Sequence, residues 1–150
     1  MSFMTEPIFV DTNVLVYRFD TGKPEKQKAA DEWISRLWEI RSGRLSFQVL
    51  REFYVTVTRK LPNRLETGAA RNAVQALLAW KPVACSDRTL GSAWEIEDRY
   101  SISWWDALIV AAAREQACTI LLTEDLQDGQ ALAGVRVVSP FSVGPGDVLD

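Results

Sequence analysis

Four acidic residues are the strongest candidates for chemistry in this sequence because of the sequence around them. Two follow predicted strands, one begins a strongly apolar helix and one lies on an amphipathic helix; they are Asp11, Asp125, Asp106 and Glu52. Carboxylates crowded at one place repel one another, so their pKa values rise unless cations bind. Such oxygen ligands suit hard divalent ions, and the expected cofactor is Mg²⁺, with Mn²⁺ as an alternative.

The sequence contains no histidine, which narrows the reactions that it can support. Ser-His and Cys-His nucleophilic systems, an imidazole general base and His-containing zinc sites are excluded. A metal-activated water is then the expected nucleophile, and a metal pair can stabilise the attacking and leaving oxygens of a phosphodiester displacement. These residues therefore predict a Mg²⁺-dependent phosphoryl-transfer hydrolase.

Three of the acidic residues also have an ordinary structural interpretation. Asp11 could cap the following helix, since Asp, Thr and Asn are all favoured N-caps. Asp106 has capping-box spacing from Ser103, although that box prefers Glu or Gln. Glu52 lies about 130° from the centre of the apolar stripe of its helix, at about 100° per residue, which is compatible with a solvated side chain.

The predicted elements bring the acidic residues to one edge of a sheet. Apolar runs predict strands at 8–10, 45–47, 82–85, 119–123 and 135–138, the last at an edge of the sheet. Helical patterns separate them, which indicates an α/β/α sandwich with a central, mostly parallel sheet of four or five strands. The carboxyl ends of parallel strands meet at one rim, so we expect Asp11 and Asp125 to lie together there.

The helical patterns begin after the first strand, where a short segment covers 14–19. Longer helices are predicted from Pro24 to a stop at Gly43, over 48–60, over 69–78, from 86 or 87 to 100, and over 107–113, where the helix should be buried. Residues 1–6 should fray, and the segment after Pro140 should be irregular.

Length and composition predict one folded domain spanning residues 1–150, with 47% hydrophobic residues. The sequence has no apolar run of transmembrane length and no signal-peptide pattern, so we expect a soluble, cytoplasmic protein. Cys85 and Cys118 are expected to be reduced core residues.

The net charge of −3 argues against a general affinity for nucleic acid, so any binding would need a local basic patch or cations held by acidic groups. The best candidates for phosphate contacts, although most could form a solvated face, are Arg51, Arg59, Lys60, Arg64 and Arg71.

Four segments carry the acidic residues in a recognisable order. They are Phe9-Val10-Asp11-Thr12-Asn13-Val14-Leu15, Val49-Leu50-Arg51-Glu52-Phe53-Tyr54, Ser103-Trp104-Trp105-Asp106-Ala107-Leu108-Ile109 and Leu122-Thr123-Glu124-Asp125-Leu126. The set resembles PIN-domain ribonucleases, and most closely the VapC-type toxins of bacterial toxin–antitoxin pairs, over nearly the whole chain. The first and third segments are specific and the second is weaker. In the last, Glu124 and Asp128 compete with Asp125, which matches the acidic position of the family.

The resemblance implies a metal-dependent nuclease that cuts RNA. It assigns Asp11 and Asp106 as metal ligands, while Glu52 and Asp125 complete the acidic site directly or through a bound water. The supporting hydrogen-bonding residues would be Thr12, Asn13 and Thr123.

The resemblance also implies a homodimer that a small antitoxin protein silences. The amphipathic stripe that contains Trp33 and Trp38 is a candidate docking surface for that antitoxin. Its side chains recur at spacings of three and four residues, so ordinary core packing is the competing interpretation.

Two other functions compete with this one. A haloacid-dehalogenase-like phosphatase also begins with a strand that ends in Asp, but that family needs a second Asp two residues later, where this chain has Asn13. The domain could instead be a catalytically silent module that binds RNA or protein, although the complete acidic set argues against it.

Overall fold

The sheet consists of short strands that are mostly parallel. The computed structural model describes residues 6–149, and its strands are β1 Ile8–Val10, β2 Gly43–Arg44, β3 Ile120–Leu122, β4 Ala131–Leu132 and β5 Val135–Val138. Their order across the sheet is β2-β1-β3-β5-β4, and every neighbouring pair is parallel except β4 and β5. The predicted α/β fold with a mostly parallel sheet is confirmed, with five strands among the described residues.

Helices flank this sheet and position most of the side chains discussed below. Their bounds are α1 Thr12–Tyr17, α2 Pro24–Ile40, α3 Phe47–Val55, α4 Thr67–Leu77, α5 Asp87–Tyr100, α6 Trp104–Glu115 and α7 Pro145–Leu149. The chain continues from α3 into a π-helical turn at Thr56–Lys60 and from α4 into a 3₁₀ turn at Leu78–Trp80. Residues 107–113 of α6 are buried, as their continuous apolar sequence predicted.

The second and third predicted strands are wrong in position or extent. Ser46 caps α3, because its hydroxyl accepts a hydrogen bond from the Val49 amide at 3.3 Å, and Phe47 therefore already belongs to the helix. The segment 82–85 forms only one isolated bridge, between Val83 and Ser46, before the chain reaches Ser86, the N-cap of α5.

The predicted edge position of β5 is also wrong, because β4 pairs outside it. The two strands are joined through Ala133 and Gly134, which both have positive φ angles, 53° and 85°. Such a turn is usually marked by Asn-Gly or Asp-Gly, so Ala-Gly gave little indication of a hairpin. The tail, predicted to be irregular, contains the short helix α7.

Trp33 and Trp38 do not form the predicted docking surface. Trp33 is fully buried, and its indole nitrogen donates to the Val143 carbonyl at 3.0 Å. Trp38 is half-buried and packs against Trp80 with 5.2 Å between ring centroids. The stripe is therefore core packing. The sequence could not decide this, because a spacing of three and four residues identifies an apolar face of a helix but not what covers that face.

Three smaller expectations have mixed outcomes. Cys118 is buried as predicted, whereas Cys85 is exposed, and both are free thiols. Residues 1–5 of the predicted frayed start lie outside the described residues, but Glu6 accepts a hydrogen bond from the Thr119 hydroxyl at 2.8 Å. Within residues 6–149 the helices are all too short or too polar to cross a membrane.

Candidate active site

The site begins where β1 and β3 end side by side. The parallel register pairs Val10 with Leu122, so the next residues, Asp11 and Thr123, lie next to each other at the carboxyl edge of the sheet. The Asp11 amide donates to the Leu122 carbonyl at 3.0 Å, which extends the ladder by one step. Both side chains are buried, Asp11 with 5% of its surface exposed and Thr123 with none. The sheet therefore delivers a carboxylate into a nearly closed position.

Asp11 is both the N-cap of α1 and a member of the acidic cluster. One carboxylate oxygen accepts from the Thr12 amide at 2.7 Å, which is the capping role expected as an alternative. The other accepts from the Thr123 hydroxyl at 2.9 Å and from the Asn13 side-chain amide at 3.3 Å. These donors fix the orientation of the carboxylate.

Asn13 links the residues after β1 to those after β3. Its side-chain nitrogen lies 3.1 Å from an oxygen of Asp125 and 2.9 Å from the Thr123 hydroxyl, and its carbonyl accepts from the Glu124 amide at 3.3 Å. An amide nitrogen carries two hydrogens, so its three acceptors, including Asp11, share them. Asn13 therefore ties Asp125 to Asp11.

Glu52 reaches the cluster from α3 and is exposed, as its position relative to the apolar stripe suggested. Its two oxygens accept from the Thr12 hydroxyl at 3.0 Å and from the Gln48 amide at 3.2 Å. Gln48 was not singled out from the sequence, but its spacing of four residues from Glu52 on one helix is a usable signal.

Asp106 lies in the first turn of α6 and is half-buried. Ser103 is the N-cap, and its hydroxyl accepts from the Asp106 amide at 3.1 Å, which is one half of the capping box that the spacing suggested. Burial raises the pKa of Asp106, the Ser103 hydroxyl lowers it, and the charges of Asp125 and Glu52 raise it further. The Asp106 carboxyl is therefore close enough to both to be repelled.

The structure separates the three acidic residues that follow β3. Asp125 is bonded to Asn13, as described above. Glu124 instead accepts hydrogen bonds from the Tyr17 hydroxyl and from Lys26, the latter at 2.8 Å. Asp128 accepts from the Ser139 amide at 2.9 Å. Of the three carboxylates, only that of Asp125 joins the Asp11 network.

The pKa of Asp11 rises from 3.8 to about 7, mainly because burial disfavours the charged form. Hydrogen bonds from Thr12 and Thr123 lower it, and the charges of Asp125 and Asp106 raise it. A bound cation would relieve this accumulation of negative charge.

The donors are all oxygens, with Asp11 and Asp106 as the expected direct ligands, so the chemistry of the site fits Mg²⁺ or Mn²⁺. As the side chains stand, however, no three acidic, cysteine or histidine side chains in residues 6–149 are arranged to hold a metal ion.

A cleft of about 680 Å³ opens beside Glu52 and Asp125, and we call it the cationic cleft. It is named for the three basic side chains in its lining, Lys23, Arg51 and Lys60; the lining also contains three acidic ones, Asp20, Glu52 and Asp125. None of the three basic side chains forms a salt bridge with another residue of the described chain. Lys23 was missed in the sequence because it lies far along the chain from the basic residues predicted to contact phosphate, which all fall between Arg51 and Arg71.

Three of the basic residues predicted to contact phosphate do not line the cationic cleft; they are Arg59, Arg64 and Arg71. Arg71 donates to the Tyr54 hydroxyl at 3.2 Å.

Comparison with solved structures identifies the same architecture in bacterial toxins. A toxin–antitoxin complex from Klebsiella pneumoniae has 21% sequence identity and a TM-score of 0.63, covering 90% of this chain and 98% of that chain. A DNA-bound VapBC from Salmonella typhimurium has 12% identity, the same coverage and a TM-score of 0.63. The sarcin–ricin loop cleaving toxin VapC20 from Mycobacterium tuberculosis has 21% identity and a TM-score of 0.57, covering 86% of this chain and 98% of that chain.

No curated protein sequence gives a significant match to this chain. The family model of the PIN domain, in contrast, matches residues 8–131, a span that contains all four candidate acidic residues. That span also includes β1, β2 and β3 and ends at the first residue of β4. The chain therefore belongs to the PIN domain family.

Proposed function

We propose that this protein is a metal-dependent endoribonuclease that hydrolyses phosphodiester bonds of RNA. The observation that supports this proposal most strongly is the convergence of Asp11 and Asp125 at one edge of the sheet, bridged by Asn13. Glu52 and Asp106 come to the same edge from α3 and α6. A chain without histidine has few other groups with which to activate water.

Asp11 and Asp106 are the proposed direct metal ligands, and Glu52 and Asp125 complete the site directly or through a bound water. When bound, Mg²⁺ or Mn²⁺ supplies a water of lowered pKa and stabilises charge on the phosphate oxygens. Thr123 holds the Asp11 carboxylate by its hydroxyl. The fixed orientation of that carboxylate limits the reorganisation needed during the reaction.

The cationic cleft provides a path for a phosphate backbone into this site. Lys23, Arg51 and Lys60 line it and make no salt bridges within the described residues, so they are available to phosphate groups. Local placement of these charges matters because the chain as a whole has a net charge of −3. RNA is favoured as the substrate because the similar VapC20 is described as cleaving the sarcin–ricin loop.

We further propose that the protein is the toxin of a toxin–antitoxin pair in the cytoplasm, that it forms a homodimer and that a separate antitoxin chain silences it. Similar structures from Klebsiella pneumoniae and Salmonella typhimurium are complexes of this kind. Two exposed large apolar side chains that a partner could cover are Leu78 and Trp94.

The proposal is tested by cleavage of a mixed RNA pool with Mg²⁺, Mn²⁺ or EDTA. Wild type should cut only with metal, and Asp106→Asn should reduce cleavage by about 100-fold or more, because it removes one proposed ligand charge. Asp128→Asn is the matched control, since the Asp128 carboxylate is bonded to the Ser139 amide and not to the acidic cluster. This control should retain wild-type cleavage.

Other results would support other functions. Cleavage that persists in EDTA and in Asp106→Asn would come from a contaminant and would remove the support for the metal mechanism. A wild-type protein as inactive as Asp11→Ala that still binds RNA would indicate a silent binding module. Hydrolysis of small phosphomonoesters without RNA cleavage would indicate a phosphatase.

A further inference from the structure

A second cleft, lined by aromatic side chains, lies close to the acidic site. It has a volume of about 410 Å³, within the usual range for small-ligand sites, and we call it the aromatic cleft. Phe47 from α3 and Trp104 and Trp105 from α6 contribute its rings. Trp105 is 63% exposed and Phe47 is 43% exposed. A ligand that covered these two exposed rings would gain the stabilisation that comes from burying apolar surface.

Three observations place the aromatic cleft next to the proposed active site. Trp105 directly precedes Asp106 in the first turn of α6. Gln48 lines the cleft and donates to Glu52 at 3.2 Å. Arg51 lines both the aromatic cleft and the cationic cleft. A strand with its phosphates along the cationic cleft would therefore have a neighbouring nucleotide at the aromatic cleft.

The two tryptophans of α6 differ in how firmly they are held. Trp104 is half-buried and stacks on Trp94 of α5, with 6.2 Å between ring centroids and an angle of 23° between the planes. Trp105 stacks on no other ring among residues 6–149 and keeps its faces open. An indole with free faces beside an amide and a guanidinium matches an unpaired base with its attached phosphate.

We propose that Trp105 is a stacking platform for an unpaired nucleobase of the RNA substrate next to the bond that is cut. The inference rests on the proposed ribonuclease function and adds to it a residue that would hold one base beside the cut. Base-paired RNA buries its base faces in the stack and presents none to Trp105. Phe47, on the opposite helix, and Gln48 complete the surroundings of the base.

The experiment measures kcat/KM for a single-stranded RNA that contains a cut site found in the pool assay, and for the same RNA with one abasic position at a time around the cut. Trp105→Leu, which keeps apolar area but loses the ring, should lower kcat/KM by roughly 5- to 150-fold. Trp105→Phe should retain most of the activity. At one position, removing the base should lower the kcat/KM of wild type by a similar factor. The same removal should lower the kcat/KM of Trp105→Leu little further, because the stacking contact is already lost.

Asp128→Asn is again the control and should keep wild-type kcat/KM, because Asp128 lines neither cleft and its carboxylate is bonded to the Ser139 amide. Unchanged kcat/KM in Trp105→Leu overturns the inference and leaves the ribonuclease proposal intact. The inference is also overturned if removing a base lowers kcat/KM by the same factor in Trp105→Leu as in wild type at every position, because the two changes are then independent. If sedimentation shows that wild type is a dimer and that Trp105→Leu is a monomer, the ring belongs to a protein contact, and the inference is overturned. If wild type cuts no RNA, the proposed function itself fails and the inference fails with it.

Discussion

Replacing Asp11 by asparagine should stabilise the protein when no divalent metal is present. The carboxylate is 5% exposed, and burial is the main cause that raises its pKa from 3.8 to about 7. A raised carboxyl pKa means that folding disfavours the charged form, which is the reverse of the usual effect for Asp in folded proteins. The substitution removes that charge and keeps the shape of the side chain.

The sign of the pH dependence follows from which state releases its proton first. Well below pH 3.8 the folded and the unfolded chain both hold the Asp11 proton. Between 3.8 and about 7 the unfolded chain releases it more readily, so the free energy of unfolding falls as the pH rises. Above that window the buried charge lowers the free energy of unfolding by its full amount. At about 1.4 kcal/mol for each unit of pKa shift, this amounts to about 4 kcal/mol.

The asparagine variant avoids this cost but loses hydrogen bonding. One oxygen of Asp11 accepts from Thr123 and Asn13, and an amide nitrogen in its place cannot accept from either. That loss is worth about 1–3 kcal/mol, so the net gain for Asp11→Asn at about pH 8 should be about 1–3 kcal/mol. At about pH 4 the variant should be no more stable than wild type.

Urea unfolding of both proteins in EDTA, followed at several pH values between about 4 and 8, measures this difference. Added Mg²⁺ should stabilise wild type more than the variant, because the variant has lost a proposed ligand. Asp128→Asn should follow the wild-type curve, since this exposed residue lies outside the cluster. Parallel curves for wild type and Asp11→Asn across the whole pH range would refute the reasoning.

Three further substitutions test the scaffold of the site. Thr123→Val should destabilise the protein by about 1–3 kcal/mol and reduce RNA cleavage, because buried Asp11 loses the hydroxyl that donates to it at 2.9 Å. Gly43→Ala should cost about 1–3 kcal/mol in urea unfolding, since a Cβ there would lie 2.6 Å from the Trp80 ring. Trp33→Ala should lower the free energy of unfolding by about 3–5 kcal/mol, because Trp33 is fully buried.

Each of these has a matched control and a contradicting result. Thr123→Ser keeps the hydroxyl and should recover most of the cleavage; equal loss in both variants would mean that the hydroxyl is not what matters. Gly68→Ala should be tolerated, because a Cβ there meets no atom within 4 Å. A Trp33→Ala protein with normal stability and weakened antitoxin binding would restore the docking interpretation that the buried position of Trp33 contradicts.

The convergence of Asp11 and Asp125 was predictable because both residues follow strands. Asp11 and Asp125 come after apolar runs, and parallel pairing brings the ends of such runs to one edge. Glu52 could not be placed, because its angle from the apolar stripe fits either solvent or a neighbouring element. The structure brings it to the Thr12 hydroxyl at 3.0 Å, a partner 40 residues away in sequence.

Local pattern determined the fold class, the covered helix α6 and the candidate acidic residues, since periodicity and apolar runs depend only on neighbours along the chain. The tertiary structure decided which face is covered and by what. Glu124 and Asp125 are adjacent and equally acidic, yet Lys26, 98 residues away, pairs with Glu124 and leaves Asp125 to the site. The helix face that contains Trp33 is likewise buried by a distant segment, since the Trp33 indole donates to the Val143 carbonyl, 110 residues away. A side chain's partners are set by distances in the folded chain, which spacing along the sequence does not contain.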